Sequence, residues 1–260
     1  LRAIIQHKNP TVDIAYSPEN LRLGQAIDCF KKPERIVIGA DNNAVLDKVE
    51  ALFSVIKAPV IRMDLKSAEM TKHALNAFLA TSISFGNEIG NICDEVGADA
   101  VKVVEALRSD ARIGKKLPLL PALGFAGGTL ARDLKVLQKI GKEKKYETLL
   151  INSVLEVNRR QNEVVIRKLE NIYGLVKGLK VGILGLTYKP NTSTMRRSAA
   201  LGIIKELVIN GAKVKAYDPK ADMSEIQEHI EFEFCKDVGD VAKGSHALVL
   251  ITEWSEFKDL

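Results

Sequence analysis

The chain has 260 residues, 46% of them hydrophobic, with 8 prolines and a formal net charge of +5. That length allows two or three packed units, and the composition is that of an ordinary globular protein. Its longest apolar runs fall short of the roughly 18 residues that span a bilayer, and no Lys/Arg run is interleaved with aromatics, which argues against nucleic-acid binding.

In chain order, the first residues, Leu1-Arg2-Ala3-Ile4-Ile5-Gln6-His7, have helical character and lack the sustained apolar stretch of a signal peptide. Three β-rich runs follow, Val12–Tyr16, Arg35–Gly39 and Pro59–Met63, with an amphipathic helix expected over 43–56 between the last two. This is the texture of half an α/β sheet. No GxGxxG turn, the opening of a full dinucleotide-binding domain, occurs anywhere.

Ser67 offers an N-cap to a long helix running to Val96. Met70, Ala74, Phe78, Thr81, Phe85, Ile89, Ile92 and Val96 recur at three- and four-residue steps down one face of it. Gly86 and Gly90 put two bare positions on one face and predict a close helix crossing. Helices over 99–108, 131–141 and 145–171 make the middle block all-helical.

From residue 179 the texture returns to α/β. Val181–Leu186 is a strand entering a glycine turn, 199–209 a helix, and Lys213–Tyr217 a strand closed by Asp218-Pro219. A last strand, Ala247–Ile251, leads to Thr252-Glu253-Trp254. Strand, helix, and a second strand closed by an acid is a Rossmann-like half. The chain opens on Leu1 rather than Met and stops just after a strand, as expected of part of a longer protein.

Cys29, Cys93 and Cys235 show no CxxC spacing, which predicts reduced, buried thiols in a cytoplasmic protein. His7, His73, His229 and His246 show no ligand spacing, and no metal site is expected.

Five segments carry chemistry-bearing residues. Ser67-Ala68-Glu69-Met70-Thr71-Lys72-His73-Ala74-Leu75-Asn76-Ala77-Phe78-Leu79 sets Lys72 and Asn76 one helical turn apart, on one face. Ser17-Pro18-Glu19-Asn20-Leu21-Arg22-Leu23-Gly24 presents a carboxylate suited to general-base work. Asp110-Ala111-Arg112-Ile113-Gly114 offers a guanidinium for sugar hydroxyls and phosphate oxygens. The loop Gly124-Phe125-Ala126-Gly127-Gly128-Thr129-Leu130-Ala131-Arg132-Asp133 is glycine-rich and ends on an acid. Gly185-Leu186-Thr187-Tyr188-Lys189-Pro190-Asn191-Thr192-Ser193-Thr194-Met195-Arg196-Arg197-Ser198 is a glycine turn whose N–H groups, feeding a helix N-terminus, would be open to anions.

Taken together, these segments resemble the UDP-glucose/GDP-mannose dehydrogenase family, with its SAExxKxxxNAFLA, PEFLxEG, DxRIG, GYGGSCFPKD and GlxFKpnTdDmReSp patterns. The resemblance implies an α/β fold with a partial NAD-type domain over 1–64, a helical dimerisation domain over 65–172 and a Rossmann-like UDP-sugar domain over 173–260. It implies NAD-dependent oxidation of a nucleotide sugar, UDP-glucose first, at C6 to the uronic acid, in a cytoplasmic homodimer joined through the long helix. It assigns Lys72 to developing oxyanion charge, and Asn76 with Asp133 to a catalytic water. Glu19 would act on the hydrolytic water or substrate. Arg112, Gly124, Tyr188, Lys189 and Arg196 fall to substrate binding, Arg112 by reaching into the neighbour's site. Lys72, Asn76 and Asp133 would converge on one pocket facing the turn at 185–189.

The loop keeps Gly124, Gly127 and Asp133 but departs at Ala126, Gly128, Thr129, Leu130 and Ala131. Thr129 stands where the family carries its nucleophilic cysteine. A thiol ionises near pH 8.5 and leaves readily, whereas a Thr hydroxyl needs an adjacent base. Besides full oxidation, an enzyme stopping at the aldehyde and a non-catalytic sugar-nucleotide binder are therefore open. Thr194 and Arg197 replace two acids of the last pattern, which makes that edge more basic. Asn158 and Gln161 fit the family's VNxxQ pattern in a structural role.

Overall fold

The computed structural model describes every residue except 1, 20, 22–24, 126, 127, 197 and 227–229, and the backbone alone of 2 and 3. The expectations that rest on Asn20, Arg22, Leu23, Gly24, Ala126, Gly127, Arg197 and His229 therefore lie outside the described residues. The chain divides into two compact units, Leu1–Asn76 and Ala77–Leu260.

The first unit carries α1 (Arg2–Lys8), β1 (Ala15–Tyr16), α2 (Ala26–Lys31), β2 (Ile36–Ala40), α3 (Asn43–Leu52) and β3 (Val60–Met63). Its sheet has the order β1-β2-β3, with β2 and β3 parallel and β1 antiparallel. Every residue of β2 is buried, as the central strand of a sheet covered on both faces requires. Ile36, Ile38, Ala40, Val45 and Leu46 form its core. Asn42 caps α3 by accepting from Val45 N at 3.0 Å. That helix ends at Leu52, short of the expected Ile56, where Phe53 turns back on Glu50 O.

α4 (Leu65–Val96) follows as one unbroken helix of 32 residues, about 48 Å long at 1.5 Å per residue. Its cap is Asp64 rather than Ser67. The Asp64 carboxylate accepts from Ser67 N at 3.0 Å and from Ser67 Oγ at 2.6 Å, holding that carboxyl below its usual range. An aspartate takes the cap more readily here because it satisfies both donors at once.

The apolar stripe of this helix faces outward. Phe78, Phe85, Ile92 and Val96 are 58%, 47%, 53% and 71% exposed, and Met70 is exposed as well. The buried side is lined instead by small and amide side chains: Ala77, Ala80, Ser84, Asn87 and Cys93. Small residues let neighbouring backbone come close, so the helix buries its narrow side within the chain. Gly86 and Gly90 serve such an approach, though the neighbour is an extended segment rather than a helix. A Cβ on Gly86 would lie 2.2 Å from Leu119 O, and one on Gly90 2.5 Å from Pro121 Cγ.

α5 (Ala100–Ser109), α6 (Leu130–Glu143), α7 (Leu149–Gln161) and α8 (Glu163–Tyr173) complete the helical block. The single helix expected over 145–171 starts late and is split. Tyr146 N returns to Gly141 O at 2.8 Å and Lys145 takes φ 56°, which closes α6 before α7 begins. Asn162 then sits at the joint between α7 and α8. Asparagine competes poorly for the helix interior, and its N–H turns to Arg159 O three residues back. Ala77, Ala80, Phe125, Leu134 and Val154 pack together as the core of this block.

The second sheet contains β4 (Lys180–Leu184), then, after α9 (Ala199–Ile209), β5 (Lys213–Tyr217), β6 (Glu233–Phe234) and, after α10 (Val238–Ala242), β7 (Ala247–Leu250). The order is β6-β5-β4-β7 and every pair is parallel. Side chains alternate across β4. Val181 and Ile183 join the core under α8 and α9. Leu184 joins Val241, Trp254 and Phe257, and bare Gly182 leaves room for Val241 and Leu248. The sheet is thus covered on both faces, as a parallel sheet requires. Its strand order reverses between β4 and β7, so the carboxyl end of β4 is a topological switch point, where α/β folds bind ligands.

Cys93 and Cys235 are buried as expected, but Cys29 is only partly so. It lies on α2, a six-residue helix with no buried residue. Among the described residues, no helix is long and apolar enough to cross a membrane.

Candidate active site

In the first unit the structure brings Lys72 and Glu19 together. The Lys72 ammonium donates to the Glu19 backbone oxygen in a short contact and lies 3.9 Å from its carboxylate. Lys72 has only 14% of its side chain exposed, against 65% for Glu19. Glu19 also accepts from Leu21 N at 2.7 Å, which fixes its turn. Asn76 lies one turn further along α4 and is buried. Sequence spacing gave the Lys72–Asn76 pair; contact with a residue 53 positions earlier left no local trace.

In the second unit, three amide side chains grip the backbone at the entry to the glycine-rich loop, and a fourth braces one of them. Asn87 Oδ1 accepts from Ala122 N at 2.7 Å, and Gln161 Nε2 donates to Ala122 O at 2.7 Å. Asn91 Nδ2 donates to Gln161 Oε1 at 3.1 Å. Asn158 closes on Phe125 from both sides, accepting from its N–H at 2.7 Å and donating to its carbonyl at 3.1 Å. Gly124, at φ 91°, has no room for a Cβ, which would lie 2.7 Å from Asn158 Oδ1. Asn158 and Gln161, expected to be structural, therefore set the backbone of the loop itself.

Thr129 is the N-cap of α6, with an exposed side chain that makes no capping hydrogen bond. Asp133 is buried in the first turn of α6, its N–H on Thr129 O at 3.1 Å and its carboxylate 3.2 Å from Arg132 Nε. Arg112 stands on the surface with 89% of its side chain exposed. It donates in a fork to both oxygens of Asp110, at 3.0 and 2.7 Å. That pairing, with the Arg112 N–H, holds the Asp110 carboxyl below its usual range.

At the carboxyl end of β4 the expected open anion cradle is filled by the protein itself. Asp218 Oδ2 accepts from Leu186 N at 2.8 Å, Thr187 N at 2.9 Å, Thr187 Oγ1 at 2.9 Å and Trp254 Nε1 at 3.0 Å. Its Oδ1 accepts from Lys220 N at 2.9 Å. Burial alone pushes this carboxyl up, but the donors from Lys220, Thr187 and Leu186 outweigh it and hold the pKa below the ordinary value. Thr252 Oγ1 closes the knot on Thr187 O at 2.6 Å. Gly185 makes the turn possible at φ 90°, with Thr252 2.5 Å from where a Cβ would be. The turn does not run straight into α9, which begins at Ala199 with Ser198 accepting from Ala200 N.

The side chains expected to bind substrate at this edge lie beyond the turn. Tyr188 is exposed, Lys189 partly buried, and Arg196 72% exposed. The edge is also less basic than the replacement of two acids suggested. Glu225 returns a carboxylate to it, accepting from Thr194 Oγ1 and Met195 N, each at 2.8 Å. The Thr194 hydroxyl first, then those N–H donors, hold the Glu225 carboxyl below its usual range.

Two concavities of about 450 Å³ each lie on the helical block, near Lys142 and Tyr146 and near Glu88 and Arg160. Neither is lined by a predicted catalytic or substrate-binding residue.

A parallel sheet with its switch point at a glycine turn, joined to a helical block, defines a Rossmann-like protein of the α/β class. The sequence matches the UDP-glucose/GDP-mannose dehydrogenase family over its central domain at residues 66–160 and its UDP binding domain at residues 182–260. The chain belongs to that family. It is 42% identical over 250 residues to the UDP-glucose 6-dehydrogenase TuaD of Bacillus subtilis, covering 95% of this chain and 54% of the relative. It is 33% identical to the UDP-glucose 6-dehydrogenase AglM of Haloferax volcanii, covering 96% and 59%. A UDP-glucose dehydrogenase structure from the hyperthermophilic archaeon Pyrobaculum islandicum superimposes with a TM-score of 0.92 at 31% identity, covering 100% of this chain and 60% of that one. The chain thus spans a little over half the length of the relatives it matches.

Proposed function

We propose that the protein oxidises C6 of a nucleotide-bound hexose, UDP-glucose foremost, to the uronic acid in the cytoplasm, with NAD as the hydride acceptor. The observation that carries this reading is the largely buried Lys72 ammonium held against Glu19, in a chain of this family. Lys72 stabilises the negative charge that develops on the C6 oxygen. Asn76 and Asp133 hold the water that receives the hydroxyl proton, and Glu19 acts as base in the later stage. Thr129 lacks an acidic thiol, so water adds directly to the aldehyde, giving a hydrate whose second oxidation yields the carboxylate. Gly124, Arg112, Tyr188, Lys189 and Arg196 hold the sugar nucleotide. Asn42 caps the turn after β2 and Asp218 fills the turn after β4, so neither of these two turns is open to a dinucleotide pyrophosphate.

The same reading makes the protein a homodimer through α4, whose exposed stripe of Phe78, Phe85, Ile92 and Val96 supports it. Arg112 then reaches into the neighbour's site. The division at about residues 64 and 172, into NAD-type, helical and UDP-sugar domains, belongs to this reading too.

Counting NADH formed per UDP-glucose consumed is the test, and two are expected. A count of none, or of one with aldehyde accumulating, overturns oxidation to the acid. Lys72→Met should lower kcat by about 100-fold or more, as loss of an oxyanion stabiliser does, and Thr129→Cys should change the rate or the product.

A further inference from the structure

Between β4 and α9 the chain makes a closed excursion. Tyr188 N donates to Thr194 O at 2.9 Å, Thr192 Oγ1 to Lys189 O at 2.9 Å, and Asn191 turns the corner at φ 64°. The side chains at 188, 189 and 196 all hang on this excursion. Its return limb is held at one point by the core, where the Met195 side chain is fully buried. Three consecutive residues of it are also gripped by one carboxylate. Glu225 Oε2 accepts from Thr194 Oγ1 at 2.8 Å, Met195 N at 2.8 Å and Arg196 N at 3.2 Å. Its Oε1 lies 3.8 Å from Arg196 Nε.

Glu225 is itself fixed. It ends a short 3-10 turn, Met223–Glu225, capped by Asp222, which accepts from Ser224 N at 3.0 Å and Ser224 Oγ at 2.6 Å. Asp222 N donates to Ser193 O at 3.0 Å, so the turn is tied to the excursion by backbone as well. Three donors from consecutive residues on one oxygen are a charge-assisted anchor. Only 19% of the Glu225 side chain is exposed, so water competes weakly for those donors.

The geometry points to Glu225 as a positioning residue for the nucleotide sugar, holding the 188–196 excursion so that Tyr188, Lys189 and Arg196 meet the ligand together. Glu225 touches no ligand in this role; it sets the backbone from which the ligand's contacts project. The inference rests on the reading that these three residues bind the sugar nucleotide. Loosening the anchor leaves the reacting carbon's own partners, Lys72 and Asn76, unchanged. The effect therefore falls on binding and not on the chemical step.

The test is calorimetric binding of UDP and of UDP-glucose to the protein and its Glu225→Ala and Glu225→Gln variants, with steady-state kinetics alongside. Glu225→Ala should raise Kd for both ligands and KM for UDP-glucose by about tenfold or more, the factor that one lost interaction of ordinary strength represents. The kcat at saturation should stay within about twofold. Glu225→Gln keeps one acceptor oxygen without the charge and should fall between. Should Glu225→Ala fold poorly, Thr194→Val removes one donor, leaves the carboxylate in place, and should raise Kd in the same direction by a smaller factor. Unchanged Kd in the folded Ala and Gln variants overturns the inference, and so does a fall in kcat at unchanged KM. If the unsubstituted protein binds neither ligand, the parent reading fails, an outcome that no comparison among variants can mimic.

Discussion

Replacing Asp218 with alanine removes the one acceptor on which Leu186 N, Thr187 N, Thr187 Oγ1 and Trp254 Nε1 converge. The site is 3% exposed, so these donors do not all regain water. Each buried donor left without a partner costs about 1–3 kcal/mol. The four share one atom and do not add independently, and water entering the vacated space recovers part of the loss. The expected destabilisation is about 3–5 kcal/mol, or a fall in Tm of roughly 6–20 °C at ~2–4 °C per kcal/mol for a unit of this size. Asp218→Asn keeps one oxygen but turns an NH2 toward either Lys220 N or the donor cluster, and should cost about 1–3 kcal/mol.

The chain has a single tryptophan, and it is one of the four donors, so Trp254 fluorescence during urea unfolding follows this knot directly. The pH dependence has a definite sign. Asp218 titrates lower in the folded state, so its contribution is fully present above the ordinary aspartate pKa and is lost as pH falls through the depressed one. The Asn variant should therefore lose stability less steeply than the parent as the solution is acidified below the aspartate range. An Asp218→Ala midpoint within about 1 kcal/mol of the parent would refute the reasoning, since even one stranded donor costs that much.

Gly185→Ala should destabilise the same unit by about 2 kcal/mol or more in thermal melts, because it adds the strain of φ 90° to a contact with Thr252. Paired aspartates at Phe85 and Ile92, both exposed on α4, should convert the proposed dimer to a monomer in sedimentation velocity while leaving helix content by circular dichroism unchanged. A variant that still sediments as a dimer would place the interface elsewhere.

Helix and strand periods carried most of the fold. The strand Lys213–Tyr217 and the helix Ala199–Ile209 lie where alternation and amphipathicity put them. What periodicity does not state is which side of a helix its own chain covers. In α4 the side with the larger apolar residues is left outside, and the chain packs against alanines, serines and Asn87. A heptad stripe therefore reports that a surface is sticky, and not that this chain covers it. The candidate site was legible where residue types cluster along the chain, as with Lys72 and Asn76. It was illegible where a contact joins distant positions, as with Glu19 to Lys72, Asp218 to the β4 turn, and Glu225 to Met195. The glycine turn was read as an open cradle because a pattern of glycines records backbone shape. It does not record that an acid some thirty residues later has taken the donors.

The bracket around residues 122–125 is made of Asn87, Asn91, Asn158 and Gln161, none of which ionises. A change of protonation elsewhere in the protein leaves the donors and acceptors of this bracket as they are. The hold on that stretch of backbone is therefore the same in acid and in base for as long as the chain stays folded.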